Sequence, residues 1–159
     1  MKKVNKMCSF YVNNWHLTMM ILPYIKNKIE KKENVIIISN ENLENNIKTI
    51  LDKLNLKEEL KENIKRIGCN IMKQEKITEE ISMFNNILIV GKEEYINDVN
   101  KKIENKKLRN NVNIIDCYEV MDFNKNIEHI LKNHKKLINT SGERSIEEAF
   151  DGFGKKEVI

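Results

Sequence analysis

A chain of 159 residues, 40% hydrophobic and 33% charged, has the size of one globular domain and buries roughly two-thirds of its unfolded surface without disulfide or metal staples. Its 28 Lys and Arg against 24 Asp and Glu leave a net charge of +4, too slight to imply a nucleic-acid partner without a recognition motif. The longest apolar runs, such as Val35–Ile38, are too short to span a bilayer, so no membrane span is expected.

Along the chain, Cys8–Val12 reads as a first strand, with Asn13-Asn14 as turn and helix cap. From Trp15 to Lys32, Leu17, Met20, Ile21, Tyr24 and Ile29 recur at helical spacing, interrupted by Pro23, which predicts a kink or a break. Val35–Ile38 is a continuous β-branched run, the pattern of a strand covered on both faces. Asn40 is then expected to cap a helix that buries Leu43, Ile47, Ile50, Leu51 and Leu54. A further helix over Leu56–Ile67 would bury Leu60, Ile64 and Ile67 and end on Gly68 as a left-handed cap, with Cys69–Met72 a short strand.

Lys73–Asn85 fits a helix only loosely. Asn86–Val90 is again a buried-type strand, ended by Gly91 before a helix presenting Ile96, Val99 and Ile103. Lys101, Lys102, Lys106, Lys107 and Arg109 read as the solvated end of that helix and its loop. Val112–Cys117 is the last strand expected, followed by a helix over Lys125–Ile138 with a stripe of Ile127, Ile130, Leu131, His134 and Ile138. Ser145 and Glu148 form a capping box for a short helix, and Asp151–Ile159 reads as a loose or docking tail.

Strands alternating with helices of this length require crossover connections. The predicted fold is a three-layer α/β/α domain with a mainly parallel sheet, RecA-like or Rossmann-like. Residues 1–140 form that domain, and 141–159 form a C-terminal short helix and tail.

In such sheets the ligand crevice lies beyond the carboxyl ends of the strands. That rule nominates Asn13, Asn14, Trp15, His16, Ser39, Asn40, Gly91, Lys92, Cys117, Tyr118 and Glu119, with Tyr11 at the end of the first strand and His134 on the adjoining helix as further ligand-binding candidates. A phosphate cradle would need a glycine-rich turn feeding a helix, and neither GxxxxGK[ST] nor GxGxxG is present. Gly91-Lys92 alone is a turn device, and no nucleotide or other cofactor is expected. Cys117 with His134 is conceivable as a nucleophile and base, but a cysteine in an apolar strand is more often a small core residue. His129 falls off the apolar stripe, which argues against a two-histidine metal site. The three cysteines, Cys8, Cys69 and Cys117, are scattered and unpaired, the usage of reduced thiols in a cytoplasmic protein, and the N-terminus has no signal-peptide pattern.

Two stretches together resemble the MEDS sensory domain family. KMCSFYVNN with LTMMILPYIKNKIEKKENVIIIS resembles its opening, and DCYEVMDFNKNIEHILKNHKKLI its closing segment. The matching positions are Cys8, Phe10, Tyr11, Pro23, Tyr24, Cys117, Tyr118, Phe123, Ile130, Leu131 and His134. Glycines expected in the family are replaced around Lys28–Glu33, and Lys135 stands where a proline usually follows the histidine. The resemblance implies a RecA-like core without a working P-loop and a sensory domain that binds small organic compounds, coupled to a regulatory protein partner. The alternatives are a relic of a cysteine-dependent or nucleotide-binding enzyme, and an adaptor that uses its C-terminal tail.

Overall fold

The three-layer α/β arrangement expected from the alternating pattern is the one the chain adopts. A computed structural model describes residues 4–106, 108, 111–120, 128–139 and 142–145. The strands are β1 (Val4–Tyr11), β2 (Val35–Ser39), β3 (Asn86–Gly91) and β4 (Val112–Glu119), joined by β5 (Lys136–Asn139) and β6 (Gly142–Ser145). The sheet order is β2-β3-β4-β1-β5-β6, parallel throughout except for the antiparallel β5–β6 edge. The intervening helices are α1 (Asn14–Glu30), α2 (Glu44–Lys53), α3 (Glu58–Cys69), α4 (Glu93–Glu104) and the single turn α5 (Glu128–Leu131).

Strand alternation divides the buried residues into two cores. Met7, Tyr11, Ile37, Leu88, Val90, Ile115 and Cys117 meet apolar residues of α1, α2 and α3 on one face. Cys8, Ile38, Ile87, Ile89, Ile114 and Tyr118 meet Ile96, Val99, Ile103 and Ile130 of α4 and α5 on the other. Neighbouring strands β1 and β4 are therefore followed by helices on opposite faces, the arrangement that marks the usual ligand-binding position of a parallel sheet.

Several local expectations are revised by tertiary context. The helix predicted over Lys125–Ile138 is one turn, after which the chain reverses through Asn133 and His134 and pairs with β1. Leu137 and Ile138 then face opposite cores, a two-residue period that the helical spacing of Ile130, Leu131, His134 and Ile138 had masked. Residues 125–127 lie outside the described residues, as do Phe123, Lys107, Arg109 and the tail from Asp151. Ser145, expected to open a helix, is the last residue of β6, and Glu148 lies outside the described residues.

Gly68 is not a cap. α3 continues through it, and an added Cβ would come within 3.0 Å of Ile47 Cδ1, so the glycine serves the close approach of α2 and α3. Asn40 does not cap α2, because the helix starts four residues later, where Asn42 Oδ1 accepts the Glu44 N–H at 3.1 Å. Pro23 neither ends nor divides α1. It sits on the exposed side, and the carbonyl it leaves without a donor belongs to Met19, itself 53% exposed. The strand expected at Cys69–Met72 reduces to one bridge, Ile38 with Met72, and Lys73–Asn85 forms two 3-10 turns.

A ladder of side-chain amides crosses the amino end of the sheet. Asn5, Asn113 and Asn86 stand side by side on β1, β4 and β3. Asn5 Nδ2 donates to Asn113 Oδ1 at 3.1 Å and Asn113 Nδ2 to Asn86 Oδ1 at 2.9 Å. Asn86 is fully buried, accepts also from the Tyr24 hydroxyl at 2.8 Å, and donates to the Asn34 carbonyl at 3.0 Å and to Glu33 Oε1 at 3.4 Å. It thereby uses its whole hydrogen-bonding capacity. Asn86→Ala should lower unfolding free energy in urea by about 1–3 kcal/mol for each group it strands, whereas the half-buried Asn5→Ala should cost about 1 kcal/mol or less. Equal costs would deny Asn86 its central place in the ladder.

Candidate functional site

The join between β1 and α1 is two residues long, Val12 and Asn13. Asn13 is extended, and its Oδ1 accepts the His16 N–H at 2.8 Å, while His16 Nδ1 accepts the Val12 N–H at 3.2 Å. This helix start is closed by its own side chains, and so short a join has no loop to wrap a phosphate. Val12 and Trp15 project into solvent at 48% and 51% exposure.

Tyr11 ends β1 on the opposite side of that join, buried in the first core. Its hydroxyl is enclosed and has no hydrogen-bond partner. In the parallel register Tyr11 stands directly beside Glu119 of β4, on the same face as Cys117. Burial raises the Tyr11 pKa, and Glu119, Cys117 and Glu41 add to the rise, so the hydroxyl is protonated. An orphaned buried hydroxyl costs about 1–3 kcal/mol, so its presence calls for an explanation outside packing.

The other nominated positions divide. Asn40 is exposed. Gly91 ends β3 beneath Tyr95, whose Cδ1 would lie 2.7 Å from an added Cβ, so its role is close packing. Tyr118 lies on the opposite face from Tyr11, stacked on Phe10 at 5.7 Å and edge-on to His134 at 6.1 Å.

His134 belongs to a network that the sequence reading missed. Asp116, in the middle of β4 and 1% exposed, receives His134 Nε2 at 2.7 Å, Lys6 Nζ at 2.8 Å and Asn100 Nδ2 at 3.0 Å. Lys6 also donates to Asn100 Oδ1 at 2.7 Å, and His134 Nδ1 meets the Ile130 carbonyl. Burial pushes the Asp116 carboxyl up, but the His134 and Lys6 contacts outweigh it and leave the pKa below the ordinary carboxylate value. Both imidazole nitrogens are engaged with acceptors, and the ring is buried, so His134 is not free to act as a base toward a substrate. One signal was available in the sequence: Asp116 interrupts the apolar run Val112–Cys117, and a charge inside a strand must be paired.

The structure does not bring Cys117 and His134 together. Cys117 and Asp116 are successive strand residues, so the thiol points into the first core and the imidazole is held in the second. Burial raises the Cys117 pKa, with Asp116 and Cys8 adding to it, and burial with Asp116 pushes Cys8 up to about 12. Both thiols are inert at neutral pH. Cys69 is exposed and donates to Glu44 Oε1 at 3.2 Å.

A groove of about 980 Å³ lies at the far end of the molecule, between the end of α1, α3 and the start of β2. Its apolar floor carries a rim of both signs, including Lys57 and Arg66 beside Glu30 and Glu59, which defines no one ligand chemistry. The carboxyl edge of the sheet is the better candidate, because the buried hydroxyls of Tyr11, at the end of β1, and of Tyr95, in the first turn of α4, lack a partner there.

No family model matches the chain, and no curated protein or solved structure does. No helix among the described residues is long and apolar enough to cross a membrane.

Asp116→Asn strands Lys6 and His134 and should cost about 3–5 kcal/mol at pH 7. Because the folded-state pKa of Asp116 is lowered, its stabilisation is present above the unfolded carboxyl value of about 3.9 and fades as pH falls through the folded value. Urea unfolding from pH 7 to pH 3 should therefore show a gap between wild type and variant that narrows only in acid. A thiol reagent should titrate Cys69 alone in the native chain, and Cys8 and Cys117 only after unfolding.

Proposed function

We propose that the chain is a non-enzymatic sensory or regulatory domain that binds a small organic ligand at the carboxyl edge of its sheet, beside Tyr11, and signals to a protein partner. The observation that carries this reading is the enclosed Tyr11 hydroxyl without a partner, at the carboxyl ends of β1 and β4. A group kept at a stability cost in the free protein is explained by a ligand that satisfies it. The sealed Cys117, its separation from His134, and the closed start of α1 support binding over chemistry. The strand order, with the first strand between the fourth and the fifth, fits the RecA-like core that the resemblance to the MEDS family implies.

The test uses Trp15, the one tryptophan of the chain, which stands half-exposed four residues from Tyr11. A set of small organic compounds and ATP would be screened by Trp15 fluorescence and by melting temperature. Organic compounds, and not ATP, should stabilise the wild type. Tyr11→Phe should melt at the same or a higher temperature and lose the ligand response, since it removes an unsatisfied hydroxyl costing about 1–3 kcal/mol. A marked destabilisation by Tyr11→Phe would mean that the hydroxyl is already satisfied, and the reading would fail.

A further inference from the structure

We propose that the outer edge of β2 takes an extended strand of a partner polypeptide, seated in the groove between α3 and Phe84. The inference goes beyond the reading of the carboxyl edge and does not rest on it, because the groove lies at the other end of the molecule.

The bonds made by β2 fix the direction of its peptide groups. β2 is an edge strand, with β3 on one side only. On the β3 side the Asn34 carbonyl accepts the Asn86 N–H at 3.2 Å. On the outer side the Ile37 carbonyl accepts the Met72 N–H at 2.8 Å, and the Ser39 N–H is donated to the Met72 carbonyl at 3.0 Å. Peptide groups alternate sides along a strand, so the N–H and carbonyl of Val35 point outward with those of Ile37. The bridge at Met72 covers the second half of this edge, whereas the Val35 groups bond to nothing among the described residues. Exposed edges are commonly blunted by lysine or proline, and the strand VIIIS carries neither.

The groove has the form of a missing strand. Val35 belongs to the first core and Ile36 to the second, yet both line it. Leu60 and Ile67 of α3, packed on the first core, also line it, as does Phe84, packed on the second. A groove touched from both faces of the sheet runs along the strand edge, where a further strand would lie between the two covering layers. It follows nearly all of α3, about 18 Å, which is the length of about five residues of strand.

The rim has charges of both signs and selects no charged ligand, so the main chain decides the occupant. A free donor and a free acceptor on one edge residue, above apolar walls, are the demand that an extended peptide meets. A second copy of this chain is the poorer occupant. The Met72 bridge stands on half of the edge and keeps two β2 strands from lying level, while a single extended segment enters beside it.

The full chain, isotope-labelled for amide NMR, would be titrated with the blocked peptide acetyl-Val-Thr-Val-Thr-Val-Thr-amide. The control is the same peptide N-methylated at its two central residues, whose donors lie on opposite edges. Saturable binding of the first peptide alone is expected, with hydrogen exchange of the Val35 amide slowed tenfold or more and that of Ser39, already bonded, little changed. Leu60→Gln, on the half-buried wall, should raise the apparent Kd tenfold or more, and Tyr11→Phe should leave it unchanged. Should Leu60→Gln unfold, the methylated peptide decides alone. No binding, equal binding of the methylated peptide, or binding that leaves Val35 exchange unchanged each overturn the proposal. Loss of binding in Tyr11→Phe also overturns it, by moving the peptide to the carboxyl edge. Protection of Val35 that rises with chain concentration alone, together with a dimer in sedimentation, overturns it in favour of a second copy.

Discussion

The constraint on which the second core depends is the charge of Asp116 in the middle of the sheet. A carboxylate 1% exposed persists only if donors surround it, and here they come from three separate elements: Lys6 from β1, Asn100 from α4 and His134 from the turn before β5. The last of these matters most for topology. α5 is a single turn and offers little apolar surface of its own, yet the connection from β4 to β5 must pass across β1. His134, bound to Asp116 on one side and to the Ile130 carbonyl on the other, fastens that connection to the sheet. Lys135 N–H then reaches the Lys6 carbonyl at 2.8 Å and pairing of β5 begins.

The two ends of the sheet are built on opposite principles. At the amino end every polar atom of Asn86 is engaged, in a ladder that runs through Asn113 to Asn5. At the carboxyl end the Tyr11 hydroxyl is orphaned and Glu119 and Glu41 are unpaired among the described residues. Polar demand is thus met at one end of the strands and left open at the other, the end at which ligands generally bind in parallel sheets. The groove beside α3 has volume, but volume alone does not define a ligand.

Much of the frame was legible in the sequence, for reasons that also explain what was not. β2, β3 and β4 are buried on both faces and so read as continuous apolar runs, and the amphipathic stripes of α1, α2 and α4 follow from helical spacing. β5 was misread because Ile130, Leu131, His134 and Ile138 satisfy a helical period by coincidence, and only the open edge of β1 decides for a strand. The asparagine ladder was hidden by composition: in a chain rich in Asn, three more carry no signal until the register aligns them. Tyr11 was nominated from its place at the end of a strand. Its partner Glu119 was nominated on the same ground, but their adjacency was not legible, since it depends on strands more than a hundred residues apart pairing in one particular register.

That register is what ties the two ends together. Alternation along β4 sends Ile115, Cys117 and Glu119 to one face and Ile114, Asp116 and Tyr118 to the other. A slip of one residue between β1 and β4 would take Asp116 out of level with Cys8, separate it from Lys6 and part Glu119 from Tyr11 in the same movement. The amide ladder opposes such a slip, because Asn5, Asn113 and Asn86 can bond in series only when Val4 is level with Val112 and Asn86 with Asn113. The polar side chains at the amino end therefore act on the site at the carboxyl end without touching it. They hold the two strands at the offset that puts a carboxylate beside the unpartnered hydroxyl of Tyr11.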